Sequence, residues 1–200
     1  MSSTNELQEC KYPVAVLLLS GKRKSGKDYV AERLYQRFGS NESIIVKLSA
    51  PIKNHWANTH GLDLAKLLDS TDYKEHYRQD MILWGESMRE KDYGYFCRAA
   101  LDMFNAQDKP IWIVSDTRRK TDLKWFRENF NNKVKTVRVY ADENVRKQRG
   151  WTFTPGVDDV ASECDLDVET DWDWRLVNNG TSEDLEKNIQ SIIEWALSQR

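Results

Sequence analysis

The sequence predicts an α/β fold of three layers, a parallel five-stranded sheet with helices on both faces. Short apolar runs recur at residues 14–19, 44–48, 111–114, 134–140 and 175–177. Helix-period stretches separate them, the alternation expected when parallel strands are joined by helical crossovers. The first run leads directly into Ser20-Gly21-Lys22-Arg23-Lys24-Ser25-Gly26-Lys27-Asp28, a strand, a glycine-bounded loop and the start of a helix.

Taken in order, the elements support that reading. Residues 14–19 are apolar without interruption, as expected of a strand covered on both faces. The helix over residues 28–38 puts Val30, Ala31, Leu34 and Phe38 on one face and closes at Gly39. Ser49-Ala50-Pro51 ends the second strand and opens the next helix, with Pro51 suited to a first-turn position. Residues 52–106 carry no strand signal; two or three helices fit there, broken near Gly61 and near residues 92–94. Residues 146–173 begin helical and basic, then turn irregular and acidic through Gly150-Trp151-Thr152-Phe153-Thr154-Pro155-Gly156-Val157-Asp158-Asp159. A long irregular segment with its own aromatic residues is more often functional than accidental. Asn178-Asn179-Gly180-Thr181 announces the last helix, with Leu185, Ile189, Ile192 and Ala196 as its apolar stripe. One domain over residues 1–200 is expected. Its core covers 14–140 and 174–200, with a helical insert at 52–106, a mobile lid at 142–173 and a frayed polar tail at 1–11.

Composition narrows the function. With 40% hydrophobic and 31% charged residues, the chain has a core but no run long enough to span a bilayer. A net charge of −2 lacks the global basic field of nucleic-acid binders. Neither nucleic acid nor membrane is therefore an expected partner, and a monomer is expected. Cys10, Cys97 and Cys164 are scattered, without metal-ligand or disulfide spacing, and are read as packing residues in a reducing, cytosolic setting. His55, His60 and His76 lack triad-like partners and receive no catalytic role.

The loop after the first strand has the layout G-x-x-x-x-G-K of a phosphate-binding P-loop. Gly21 and Gly26 let the backbone N–H groups approach phosphate oxygens, the helix N-terminus adds partial positive charge, and Lys27 reaches the outer phosphates. Asp28 stands where Ser or Thr normally binds magnesium. The loop implies a nucleoside triphosphate ligand. The third strand ends in Ser115-Asp116-Thr117-Arg118-Arg119, at the edge where open parallel sheets bind ligands. Asp116 there either holds magnesium through water or orients Arg118; the bland alternative is a helix cap with solvated arginines. Arg146 and Arg149 share one helix face on the expected lid, where arginines neutralise a transferring phosphoryl group. Lys53, Arg78, Arg89 and Arg98 in the insert suggest a second anion pocket. Asn178 and Asn179 follow the final strand, where amides can meet an adenine ring, and Asn188 is a weaker candidate for the same face.

These motifs together resemble the animal-type phosphomevalonate kinases. The match covers the loop with its Asp after Gly-Lys, Thr-Asp-Tyr-Lys-Glu-His-Tyr-Arg at residues 71–78 and Val-Ser-Asp-Thr-Arg-Arg at 114–119. It continues through residues 148–159, Ser162-Glu163-Cys164 and residues 178–180. The resemblance implies a nucleoside-monophosphate-kinase-like fold and transfer of the ATP γ-phosphoryl group to 5-phosphomevalonate, with magnesium. It implies that residues 22–28, including Lys22, Arg23, Lys24 and Ser25, hold the ATP phosphates and that Arg149 and Asn179 complete the nucleotide site. It assigns Lys27 and Arg118 as the main catalytic cations, and Arg118 and Asn178 to the phosphomevalonate. Some members of the family end in a peroxisomal tripeptide; this chain ends Ser-Gln-Arg, so the cytosol is the expected location.

Overall fold

The computed structural model describes residues 13–68, 72–180 and 183–200. The N-terminal tail at residues 1–11 with its Cys10, and also Thr71 and Thr181, lie outside the described residues. Five strands, β1 (Ala15–Ser20), β2 (Ser43–Val46), β3 (Ile111–Val114), β4 (Val134–Tyr140) and β5 (Trp174–Val177), form one parallel sheet in the order β2-β3-β1-β4-β5. All six residues of β1 are buried because it is the central strand. Its register sets Leu18 opposite Val114 on one side and Thr136 on the other.

Side chains alternate across the strands, so β1 feeds two cores. Val16 and Leu18 pack with Val46, Val114, Cys97, Leu123 and Phe126 on one face. Leu17 and Leu19 pack with Val30, Leu34, Leu176, Ile189 and Ile192 on the other. The second face is covered by α1 (Lys27–Phe38) and α9 (Glu183–Leu197), the helices whose apolar stripes the sequence displays. The first is covered by α5 (Tyr95–Met103) and α6 (Lys120–Phe130).

The described residues between β2 and β3 form four α-helices rather than two or three helices: α2 (Ala50–His60), α3 (Leu64–Leu68), α4 (Asp72–Lys91) and α5. Gly61 ends α2 in the left-handed region, and Asp63 then caps α3 by accepting the Ala65 N–H at 3.0 Å, which makes room for the extra helix. Ala57, Leu67 and Met81 give this segment a small core of its own. At the α4–α5 break, the backbone of Gly94 lies against Trp125, where a Cβ would sit 2.3 Å from the indole. Between β4 and β5 run two short helices, α7 (Glu143–Gln148) and α8 (Ala161–Cys164), joined by irregular chain. No helix among the described residues is long and apolar enough to cross a membrane.

Phe126 is fully buried and meets Trp125 edge-on at 5.0 Å between ring centroids. Phe126→Ala is expected to cost roughly 3–5 kcal/mol, the range for large aromatic truncations in a packed core. Denaturant unfolding checks this, and a loss below about 1 kcal/mol would contradict the packing described.

Candidate active site

Parallel strands bring their C-terminal ends to one edge of the sheet, and two loops there define the site. The first runs from Ser20 at the end of β1 to Lys27 at the start of α1. A Cβ on Gly21 would lie 2.6 Å from the Val139 carbonyl oxygen, so the loop starts hard against β4. Gly26 has φ +91°, and a Cβ on it would lie 2.0 Å from Asn178 Nδ2. Only glycine combines that conformation with that closeness. α1 has no side-chain cap at its N-terminus, so its first-turn N–H groups remain open for an anion. Lys27 is buried with its Nζ 3.3 Å from Asp28 Oδ2, while Asp28 is exposed.

The second loop leaves β3. Asp116 is buried and accepts the N–H groups of Leu48 (2.6 Å) and Ser49 (3.0 Å). Burial pushes its carboxyl up, but the Ser49 hydrogen bonds, the Arg118 charge and the Leu48 amide together hold it below the usual carboxylate range. This engagement differs from the helix cap considered from sequence, and it explains why β2 stops at Val46 rather than at Leu48. The Leu48 amide, next in line to extend the ladder, is taken by Asp116. Asp122 is buried in the first turn of α6 and accepts the N–H groups of Arg118 (3.1 Å) and Arg119 (3.0 Å), with Arg89 NH2 at 3.4 Å. Burial holds the Asp122 carboxyl above its ordinary range against the pull of Arg89 and the two amides.

Between this loop and the β2–β3 helices lies a cavity of about 130 Å³. Lys53, Arg78, Arg89, Arg118 and Arg119 line one part of it, and Leu48, Ile52, Met81 and Ile82 another. Arg89 Nε and both Nε and NH1 of Arg119 are buried and find no acceptor in the protein. Unpaired buried donors of this kind are costly and mark a place for an anion. The Lys53 ammonium is held below its usual range, first by burial and then by Lys47, Arg118 and Arg78, with Asp116 opposing.

The β4–β5 connection docks on the first loop. Arg149 NH1 donates to the Ser25 carbonyl (3.1 Å) and NH2 to that of Asn178 (2.8 Å). Arg146 stacks on Trp151 at 4.0 Å and donates to the Arg23 carbonyl at 2.8 Å. Asp158 takes Arg23 (2.8 Å) and Asp167 takes Lys22, while Glu163 bonds both Arg118 and the Arg23 N–H (3.2 Å).

Most of the candidates therefore converge, with some differences. Arg98 is exposed and paired with Asp92, outside the cavity, because it sits on the solvent side of α5. Asn178 is buried against the first loop, donating to the Ser25 carbonyl at 2.9 Å, and does not line the cavity that holds Arg118. Asn179 bridges to Asp142, and Asn179 and Asn188 line a separate cleft with Arg175 and Asp184. Cys97 is a buried packing residue, but Cys164 is within 3.4 Å of Lys22 Nζ at the docked connection. The carboxylates Glu86, Asp122 and Asp167 are not among the residues named from sequence, and Asp158 and Glu163 lie in segments that carry the family resemblance without receiving a role there. Only Asp122 leaves a local signal in the sequence, an acid three residues beyond Arg119 at a helix start.

Comparison with known proteins gives the following. The profile of the phosphomevalonate kinase family matches residues 19–132. A phosphomevalonate kinase of Drosophila melanogaster is 49% identical over 181 residues, covering 89% of this chain and 94% of that protein. Among solved structures, TT1252 from Thermus thermophilus superposes with a TM-score of 0.53 at 17% identity, over 92% of this chain and 98% of that one. A gluconokinase from Sinorhizobium meliloti gives 0.46 at 16% identity, over 94% and 91%.

Gly26→Ala is expected to lower stability by more than about 1 kcal/mol, from the positive φ and the clash with Asn178. ATP is expected to raise the melting temperature of the parent protein, and the variant should show no such rise. A variant with the parent's melting temperature and ATP response would contradict the loop geometry.

Proposed function

The chain belongs to the phosphomevalonate kinase family, and on that premise we propose that its strand-edge site joins ATP and 5-phosphomevalonate end to end. The activity is that of a kinase of the mevalonate pathway, a phosphotransferase acting on a small molecule. In this reading the γ-phosphoryl group moves to the acceptor phosphate, giving ADP and 5-diphosphomevalonate. The observation that carries the reading is the cavity lined by Arg118 and by Glu163, the residue that also accepts the Arg23 N–H of the loop. Its cations include buried N–H groups with no protein acceptor, and its lining also holds the apolar Leu48, Ile52, Met81 and Ile82 beside the carboxylates Glu86, Asp116 and Glu163. That pairing suits a small acceptor with two anionic ends and a branched carbon skeleton between them.

The roles follow from charge. An acceptor phosphate with a second pKa of about 6 is largely ionised at neutral pH, so its oxygen attacks the γ-phosphorus without a general base. A bond forms from the acceptor oxygen to that phosphorus, and the bond to the bridging β–γ oxygen breaks, leaving its electron pair on ADP. The difficulty is bringing two polyanions into line, which positioned cations overcome. Lys27, with Lys22, Arg23, Lys24, the loop amides and the α1 N-terminus, takes the ATP phosphates, and Ser25 and Gly26 shape the loop. Arg118 stands between loop and cavity and serves the transferred group. Arg119, Arg89, Lys53 and Arg78 hold the acceptor. Arg149 acts through the loop carbonyls it clamps, Asn178 holds the loop from behind, and Asn179 and Asn188 face the nucleoside side. Asp116 serves the cavity through the β2–α2 turn that it fixes. Residues 1–200 work as one kinase domain with residues 142–173 as its lid.

Among the described residues no three His, Cys, Asp or Glu side chains converge as a metal site. The loop instead offers the single exposed carboxylate of Asp28. That donor set fits magnesium, which keeps several waters and takes its other oxygens from phosphates. When bound, the ion neutralises phosphate charge, and Asp28 holds it directly or through water.

ADP release measured with phosphomevalonate, mevalonate and AMP as acceptors tests the reading. Phosphomevalonate alone should support turnover, and Lys27→Met should lower it by about a thousandfold with the fold intact. Turnover with AMP in place of phosphomevalonate, or a Lys27→Met enzyme of normal rate, would contradict it. Asp28→Asn should raise the magnesium concentration needed for half-maximal rate, and Asp28→Ser should recover part of the loss. An unchanged magnesium requirement in Asp28→Asn would remove the metal role.

A further inference from the structure

Three guanidiniums in the cavity are each tethered to one carboxylate. Arg89 NH2 lies 3.4 Å from Asp122, Arg119 NH2 bonds Glu86, and Arg118 NH1 bonds Glu163 and the Ser162 carbonyl at 3.1 Å. The first two tethers come from α6 and α4. The third belongs to α8, in the lid. The Glu163 side chain is only 3% exposed, and its other oxygen accepts the N–H of Arg23 in the P-loop at 3.2 Å. One carboxylate therefore touches three parts of the site: the lid that carries it, the ATP loop, and the arginine assigned to the transferred group.

We propose that Glu163 is a positioning residue for Arg118, so that docking of the lid sets the guanidinium against the P-loop and completes the site. The proposal rests on the kinase reading above and extends it to a residue which that reading leaves idle. A guanidinium carries five N–H donors in one plane. Both bonds that fix Arg118 to the lid use NH1. The plane is thereby oriented while Nε and NH2 stay available to phosphate oxygens. Without the tether, Arg118 is a long flexible side chain whose rotamer freedom must be lost each time substrates arrive.

The lid does not need Glu163 in order to dock. Asp158 already holds Arg23 at 2.8 Å while accepting from Trp151 Nε1 (3.1 Å) and the Thr154 N–H (2.8 Å). Asp167 bridges Lys22 and Arg138, the latter at 2.8 Å. Arg149 and Arg146 clamp the loop carbonyls independently. The Glu163–Arg118 contact is additional to these latches, and its distinct consequence is the orientation of one guanidinium. The competing reading of the same contact is an internal anion that plugs a phosphate subsite and must leave before substrate enters. The two readings predict opposite signs.

The test is Glu163→Gln, which keeps shape and removes charge, alone and combined with Arg118→Lys. Positioning predicts a kcat lowered roughly 10- to 100-fold, the scale of a small misplacement of a reacting group, with KM for ATP changed less than about threefold. Limited proteolysis within residues 150–168 should remain suppressed by the two substrates together. In the Arg118→Lys background the same substitution should cost less than about twofold, because its target has already lost its fork. Glu163→Asp, which keeps the charge on a shorter arm, should recover part of the rate, and it stands in if the glutamine variant is too unstable to assay. Four results overturn the proposal: an unchanged kcat; a lowered KM with kcat unchanged or raised, which is the signature of a plug; an equal loss in both backgrounds; and loss of substrate protection of the lid, which makes Glu163 a latch. Absence of phosphomevalonate-dependent ADP release by the parent enzyme would instead remove the kinase reading itself.

Discussion

At the C-terminal edge of the sheet, Lys22, Arg23, Lys27, Arg118 and Arg119 are gathered around one loop pair. Like charges so arranged repel, and half-buried ones also lose hydration. The fold must hold them in place before any phosphate arrives. It does so by giving each of the five a carboxylate: Asp167 for Lys22, Asp158 for Arg23, Asp28 for Lys27, Glu163 for Arg118 and Glu86 for Arg119. The balance is incomplete by design of geometry. Arg119 and Arg89 keep buried N–H groups without acceptors, so the edge stays ready for an anion.

The scaffold makes that arrangement affordable. β1 is buried on both faces, with α1 and α9 against one and α5 and α6 against the other, so its C-terminal end is a fixed point for the loop that follows. The four helices after β2 bring Lys53, Arg78 and Arg89 around to the exit of β3. Asp116 and Asp122 then pin that exit from two sides, one through the β2–α2 turn and the other through the first turn of α6. In the function proposed above, acceptor recognition depends on backbone amides fixed by buried acids as much as on the arginines themselves.

What was legible in the sequence is what local pattern determines. The apolar run of β1, the glycines of the loop and the stripe of α9 each specify their structure within a few residues, and the sheet followed from their alternation. The motifs also pointed to Lys27, Arg118, Arg119 and Arg149, all of which stand at the strand edge. The misplaced expectations involve partners far along the chain. β2 ends early because of an acid 68 residues away, and Glu163 reaches Arg118 across 45. Arg89 and Arg98 look alike in a basic insert, but α4 turns one toward Asp122 and α5 turns the other to solvent. Composition records that an insert is basic without recording which helix face meets the cavity. Asn178 looked free to meet substrate, and the positive φ of Gly26 instead brings the loop onto it.

The central claim is that ATP and the acceptor meet in line between the P-loop and the β3–α6 loop, with Arg118 at the junction. A crystal structure with a non-hydrolysable ATP analogue and phosphomevalonate tests it most directly. The account predicts the triphosphate along residues 21–27 and the acceptor phosphate on Arg119 and Arg89. It also predicts Arg118 between the two phosphates with its NH1 still on Glu163. An acceptor bound away from that cavity, or Arg118 turned away from both phosphates, would contradict it.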